Sequence, residues 1–512
     1  MQRLLALFLF IGFGANAQID VQHYRFELEL SDRSDAITGK ATITIAFTAD
    51  ASRIALDLTS TDNDKGMQAF SVKQDGQDRH WTHQADRLLI DLARPAKKGE
   101  THTFEIEYMG TPKDGLIIAK NKYGDRTFFA DNWPNRAHNW IPCNDRPDDK
   151  ASFEFIVTAP DHYRIISNGL KTAEQSLDGH RRRTSWNETT ALPTKVMVIG
   201  AANFAVREFG DSPAGLPVSA WVYPQDSTKG FYDYALAPSI LKFFTSYIAP
   251  FPYRKLANVQ SKTIFGGMEN AGAIFYAEES VTGDRKWEEV LAHEIAHQWF
   301  GDMASEKSFA HLWLSEGFAT YLTDMYIGGK YGRDSALARL RKERSDVIAF
   351  THSNDHAVVD STADLMSLLN ANSYQKGGWV LRMLHQRAGD SLFRTIIQSY
   401  YAAFRGGNAD TRDFERIAER VLHTDLHVFF DQWLYRPGIP QLEVRSRVVK
   451  GGMEIRIKQL QKDLYVLPVE LRIAEGSPVK EIILNDRETV ITLPVAGKVV
   501  LDPDVKLLFE EK

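Results

Sequence analysis

The segment His293-Glu294-Ile295-Ala296-His297 constrains this chain more than any other. Two histidines four residues apart share a face only where the backbone is helical. Their imidazoles then point to one spot and can hold a zinc ion. Glu294 lies beside them, where its carboxylate can reach a water at the metal. A catalytic zinc site needs a third protein ligand and an open fourth position. Leu312-Trp313-Leu314-Ser315-Glu316-Gly317-Phe318-Ala319 supplies Glu316, with eighteen residues between it and His297. This stretch reads as a second helix with Glu316 near its start. Two antiparallel helices joined by a short connection would bring Glu316 against the histidines. The fold must therefore present two helices that converge on one ion.

Hydrophobic periodicity divides the rest of the chain. Residues 18–210 alternate between apolar and polar, as in Tyr24-Arg25-Phe26-Glu27-Leu28 and Thr42-Ile43-Thr44-Ile45. A period of two predicts half-buried strands, separated here by turns such as Lys113-Asp114-Gly115 and Asp178-Gly179. This is a β-rich domain of sandwich or saddle type. Helical spacing takes over in residues 211–437. The pattern predicts one helix over Trp287–Phe300 and others over 313–327, 335–350, 374–388 and 412–422, after a β-rich patch at 255–280. Residues 438–512 alternate again and predict a small β-sandwich. Strands, then helices, then strands make the fold class α+β and multidomain.

A length of 512 residues suits about three domains. Charged residues make up 25% and the formal net charge is −6, which argues against nucleic acid as a main partner. The single cysteine, Cys143, has no partner for a disulfide within the chain, so burial must hold the fold. Residues 1–17 carry Arg3, an apolar run and Ala15-Asn16-Ala17, the pattern of a cleaved signal peptide. No later segment is apolar enough to span a membrane. The expectation is an exported protein, periplasmic or secreted. Arg181-Arg182-Arg183 reads as a solvated hairpin face, and His311, His352 and His356 as ordinary polar contacts.

Upstream of the metal motif lies Gly266-Gly267-Met268-Glu269-Asn270. An extended glycine-rich segment can pair with a peptide by strand addition, and Glu269 then offers a negative charge to an amino terminus. Taken with the metal motif, Gln298-Trp299-Phe300-Gly301-Asp302, Trp313-Leu314-Ser315-Glu316-Gly317-Phe318-Ala319 and Tyr374-Gln375-Lys376-Gly377, this resembles the aminopeptidase N family of zinc metallopeptidases. The order and spacing of the motifs over about 110 residues carry the resemblance.

The resemblance implies a β domain, a thermolysin-like catalytic domain and a small β domain. It implies that His293, His297 and Glu316 hold one zinc ion and that Glu294 is the general base. Glu269 would bind the α-ammonium of a peptide with a free amino terminus. Gly266, Gly267, Met268 and Asn270 would line the peptide, and Tyr374 would donate to the oxyanion. Family members carry a second Gln or Glu beside the amine. Here Trp133 stands at that place, with Asp131 and Asn132 the nearest polar candidates. Many members also continue into a large helical domain, so the resemblance implies a more open cleft in this chain. Two rival readings are a zinc endopeptidase and a non-catalytic peptide-binding protein on the same scaffold. Glu269 argues against the first, and the full set of catalytic residue types against the second.

Overall fold

The computed structural model describes residues 19–210, 212–473, 478–494 and 497–512. The expected signal segment, 1–17, lies outside them. The chain forms two compact units, Met1–Asn203 and Phe204–Lys512.

The first unit is built on an eight-stranded sheet. The strand Ile19–Glu29 lies near its middle, between Ile37–Phe47 and Lys150–Pro160. It runs antiparallel to the former and parallel to the latter. The alternation in its sequence is the alternation of its faces: Tyr24, Phe26 and Leu28 are buried. Arg25, pointing the other way, reaches Glu154 on the neighbouring strand at 2.7 Å. The turns at 113–115 and 178–179 separate strands as expected. Arg181 and Arg183 lie exposed at the start of the strand Arg181–Pro193. A four-stranded and a three-stranded sheet complete this unit.

The second unit opens with a five-stranded sheet. Its order is Ala205–Phe209, Val218–Val222, Leu256–Ser261, Ala273–Ala277 and, at the edge, Gly267–Met268. Ala205–Phe209 reads with the N-terminal strands by sequence, yet it pairs with Val218–Val222 and belongs to this second unit. The helices follow: α1 (Ser227–Tyr234), α2 (Ala237–Tyr247), α3 (Glu288–His297), α4 (Trp313–Tyr331), α5 (Arg333–Thr351), α6 (Gly377–Ala388), α7 (Asp390–Phe404) and α8 (Thr411–Leu422). The strands beyond residue 440 form a four-stranded and a three-stranded sheet within the same compact unit.

Two boundaries differ from the expected helices for physical reasons. The helix predicted over Trp287–Phe300 ends at His297. Gly301, at φ 119°, turns the chain, and the Phe300 carbonyl folds back towards the His297 ring. The helix predicted from residue 374 starts at Gly377, because Asn372–Lys376 form a π-helical turn. The Asn372 amide donates to the carbonyls of His356 and Ala357, a tie from outside the helix that holds this wider winding. α1, α2 and α7 were not among the predicted helices, although in α7 the buried Phe393, Ile396, Ile397, Tyr400 and Tyr401 follow helical spacing.

An aromatic cluster backs the two helices that carry the metal motif. Phe300, just past α3, meets Phe318 of α4 at 4.7 Å between ring centres. Phe318 also packs on Tyr400 of α7 at 5.4 Å and on Phe414 of α8 at 5.2 Å. At the other end of α3, buried Glu288 accepts hydrogen bonds from the hydroxyls of Tyr326 and Tyr331, each at 2.6 Å. The two helices are thus clamped at both ends. Among the described residues, no helix is long and apolar enough to cross a membrane.

Candidate active site

α3 places His293 and His297 one turn apart, and α4 places Glu316 in its first turn. Their metal-binding atoms converge. Glu316 Oε2 lies 3.2 Å from Nε2 of each histidine, and the two Nε2 atoms are 3.0 Å apart. A tetrahedral zinc with bonds of 2.0–2.1 Å needs ligand atoms about 3.3 Å apart, so this triangle fits the ion. It is the one group of three or more His, Cys, Asp or Glu among the described residues that could hold a metal.

The surroundings fix the ligands. The Phe300 carbonyl lies 3.1 Å from His297 Nδ1 and accepts its proton, which leaves the Nε2 lone pair for the metal. Ser315 Oγ stands 3.0 Å from the same Nδ1. The His293 ring stacks on Tyr374 at 5.8 Å between centres. Electrostatics favour a cation here. Burial pulls the His297 imidazole down, but the Glu316 carboxylate outweighs it and raises its pKa to about 10. Burial also works against the Glu316 carboxylate, yet the two histidines hold it well below the usual carboxylate range.

Glu294 is buried at 5% exposure on the same helix. Burial pushes its carboxyl well above the ordinary range; His297 opposes this, and Glu269 and Glu316 add to it. Glu269 and Glu294, distant in sequence, therefore share one electrostatic neighbourhood. The edge strand explains how. Gly267 pairs with Tyr276 and Met268 with Phe275, and Gly267 lies directly over Glu294. A Cβ at Gly267 would stand 2.3 Å from Glu294 Oε1, so only glycine permits this approach. Gly266 lies beside the Trp287 ring, and Met268 is buried. Asn270 is fully buried, and neither atom of its side-chain amide has a hydrogen-bond partner among the described residues.

Gln298, which the sequence marked as part of the segment Gln298–Asp302 but gave no role, is a positioning residue. Its amide donates to the Glu269 carbonyl at 2.6 Å and to Asp302 at 3.0 Å, and accepts from the Gly272 amide at 2.7 Å. It fastens the end of α3 to the turn that carries Glu269. Tyr374 sits in the π turn, with its phenol pushed well above its ordinary pKa by burial first, then by Glu316, Glu269 and Glu294. The hydroxyl therefore keeps its proton at neutral pH.

The remaining candidates have partners of their own. Within the N-terminal unit, Asp131 pairs with Arg136 at 2.9 Å. The Asn132 amide donates to the carbonyls of Thr194 and Met197 and accepts from the Trp140 indole. His311 meets Thr411 at 2.9 Å, His352 meets Glu510 at 3.1 Å and His356 meets Asp360 at 2.7 Å.

Known proteins resemble this chain in sequence and fold. The peptidase family M1 domain matches residues 232–433, and the peptidase M1 N-terminal domain matches residues 20–196. The leucyl aminopeptidase of Saccharolobus solfataricus is 25% identical over 92% of this chain and 61% of its own length. The aminopeptidase N of Rattus norvegicus is 28% identical over 70% of this chain and 41% of its own length. The chain thus spans less than two thirds of these relatives. The crystal structure of an M1 zinc metallopeptidase from Deinococcus radiodurans superposes with a TM-score of 0.71 at 24% identity, covering 83% of this chain and 95% of that one. With the M1 N-terminal domain in its first compact unit and the M1 peptidase domain, bearing the metal triangle, in its second, the chain belongs to peptidase family M1.

Proposed function

We propose that this protein is a zinc aminopeptidase that removes residues from peptides with a free amino terminus. One observation carries the reading: the metal triangle, Glu294 and Glu269 share one site, bordered by a strand that is, among the described residues, the edge of its sheet. That edge, Gly267–Met268, pairs with an extended peptide by strand addition. Glu269, at its end, binds the α-ammonium, and a buried carboxylate of this kind accepts poorly a terminus that carries no charge.

His293, His297 and Glu316 would hold one zinc ion, which when bound supplies a Lewis acid for water and for the scissile carbonyl. Glu294 takes the proton from the attacking water and delivers it to the departing amine, a transfer that a buried carboxyl with a raised pKa suits. The Tyr374 hydroxyl donates to the oxygen that gains charge. Gly266, Gly267, Met268 and Asn270 border the peptide and the first side chain. Residues 1–17 support export, to a periplasm or the medium, and amino-terminal sequencing of the mature protein checks this.

The deciding assay compares matched peptides with free and acetylated amino termini, with and without a zinc chelator. Cleavage of the free forms alone, lost on chelation, is expected. Equal cleavage of both forms would make the protein an endopeptidase. Binding without cleavage would make it a non-catalytic receptor.

A further inference from the structure

Lys376, in the same π turn as Tyr374, is fully buried. Burying an ammonium is unfavourable unless it is paired. Among the described residues no carboxylate offsets the burial: desolvation alone lowers the pKa of this lysine to about 7. The one hydrogen-bond partner of its ammonium among the described residues is the Gly438 carbonyl, at 2.8 Å. Gly438 lies in the segment that leads into the strand Gln441–Val449, and Tyr465 Oη stands 3.5 Å from the same carbonyl. A methionine would fill this space without the desolvation penalty, so packing alone gives no reason for a lysine.

The geometry of the turn supplies one. A π turn closes wider rings than an α-helix and is weaker as a local structure, so its shape depends on outside contacts. This turn has two. At its start, the Asn372 side chain is tied to the backbone at 356–357. At its end, Lys376 is tied to Gly438. Tyr374 lies midway between the two ties. Immediately beyond, the backbone of Gly377 rests on that of Gly317, next to the metal ligand Glu316.

We propose that Lys376 is a positioning residue that acts through Tyr374: its bond to the Gly438 carbonyl holds the π turn so that the Tyr374 hydroxyl meets the reacting carbonyl. The inference rests on the aminopeptidase reading above. It also makes the segment at Gly438, outside the helical part, a determinant of turnover.

The test is a double-mutant cycle on the full chain, with the K376M, Y374F and K376M/Y374F proteins assayed on a free-terminus peptide. Losing an oxyanion donor outright lowers kcat by about 10²–10³, so misplacing it in K376M should lower kcat by about tenfold or more. KM and zinc content should stay within about twofold of wild type, since the lost contact is made only in the transition state. The melting temperature of K376M should equal or exceed that of wild type. In the Y374F background, K376M should change kcat little. Wild-type kcat in K376M, or an equal fall in both backgrounds, overturns the proposal. Should K376M fail to fold, K376L, which also lacks a donor, is put through the same cycle, and K376Q, whose amide can still donate to the Gly438 carbonyl, should restore kcat. A wild-type protein that cleaves no free-terminus peptide overturns the aminopeptidase reading itself, and this inference with it.

Discussion

Glu294 and Gly267 test the site at the level of single residues. Glu294→Gln keeps the shape of the side chain but not its basicity. It should retain zinc by metal analysis while kcat falls by about 10²–10⁴, the usual contribution of a general base. Gly267→Ala makes a sharper test of the geometry. Its methyl group would meet the Glu294 carboxylate at 2.3 Å, so the carboxylate or the edge strand must move. Displacements of about 1 Å cost about 10²-fold in rate, so kcat/KM should drop by that order in steady-state assays. The chemistry at this scale was legible in the sequence, because helical spacing alone brings His293 and His297 together. The partnership of Gly267 with Glu294 was not. It depends on how closely the sheet edge approaches α3, and no local pattern encodes that distance.

At the level of elements, the site depends on what fixes α3 and α4. Phe318 joins these helices to α7 and α8 through ring contacts of 4.7–5.4 Å. Phe318→Ala should destabilise the protein by about 3–5 kcal/mol, read as a lower midpoint in denaturant unfolding. α8 begins with a reciprocal cap, in which Asp410 accepts from the Asp413 amide and Asp413 accepts from the Asp410 amide. Asp410→Ala should cost about 1 kcal/mol in the same measurement. Periodicity gave the strands of the N-terminal unit and most of the helices, since burial on one face imposes it. It misplaced the end of α3 and the start of α6. Both boundaries are set by partners distant in sequence or by a turn folding back, the weakest signals in a local pattern.

For the whole molecule, the charge balance of the buried site links metal, pH and stability. Chelation should lower the melting temperature and added zinc restore it, since an ion that binds only the folded state stabilises it. Lys376 gives a pH signature. Its pKa falls from an ordinary 10.5 when unfolded to about 7 when folded. Between these values the unfolded chain binds more protons, so this group makes stability rise with pH across that window. Below about pH 7 the lysine is protonated in both states and its burial penalty is full. K376M should therefore gain most over wild type near pH 6–7, and the gain should shrink towards pH 10, as paired chemical denaturation curves would show. By itself the sequence determined that His293 and His297 share a face, the α+β class and the order of β-rich and helical stretches, because each follows from spacing along the chain; that Glu316 of α4 closes on the two histidines of α3 was decided in three dimensions. Only the tertiary structure decided that Ala205–Phe209 joins the second unit, that Asn132 is spent on internal hydrogen bonds, and that Lys376 reaches Gly438. Those outcomes depend on which surfaces meet across as many as 65 residues of chain, and packing in three dimensions, not the local pattern, selects among the pairings the sequence allows.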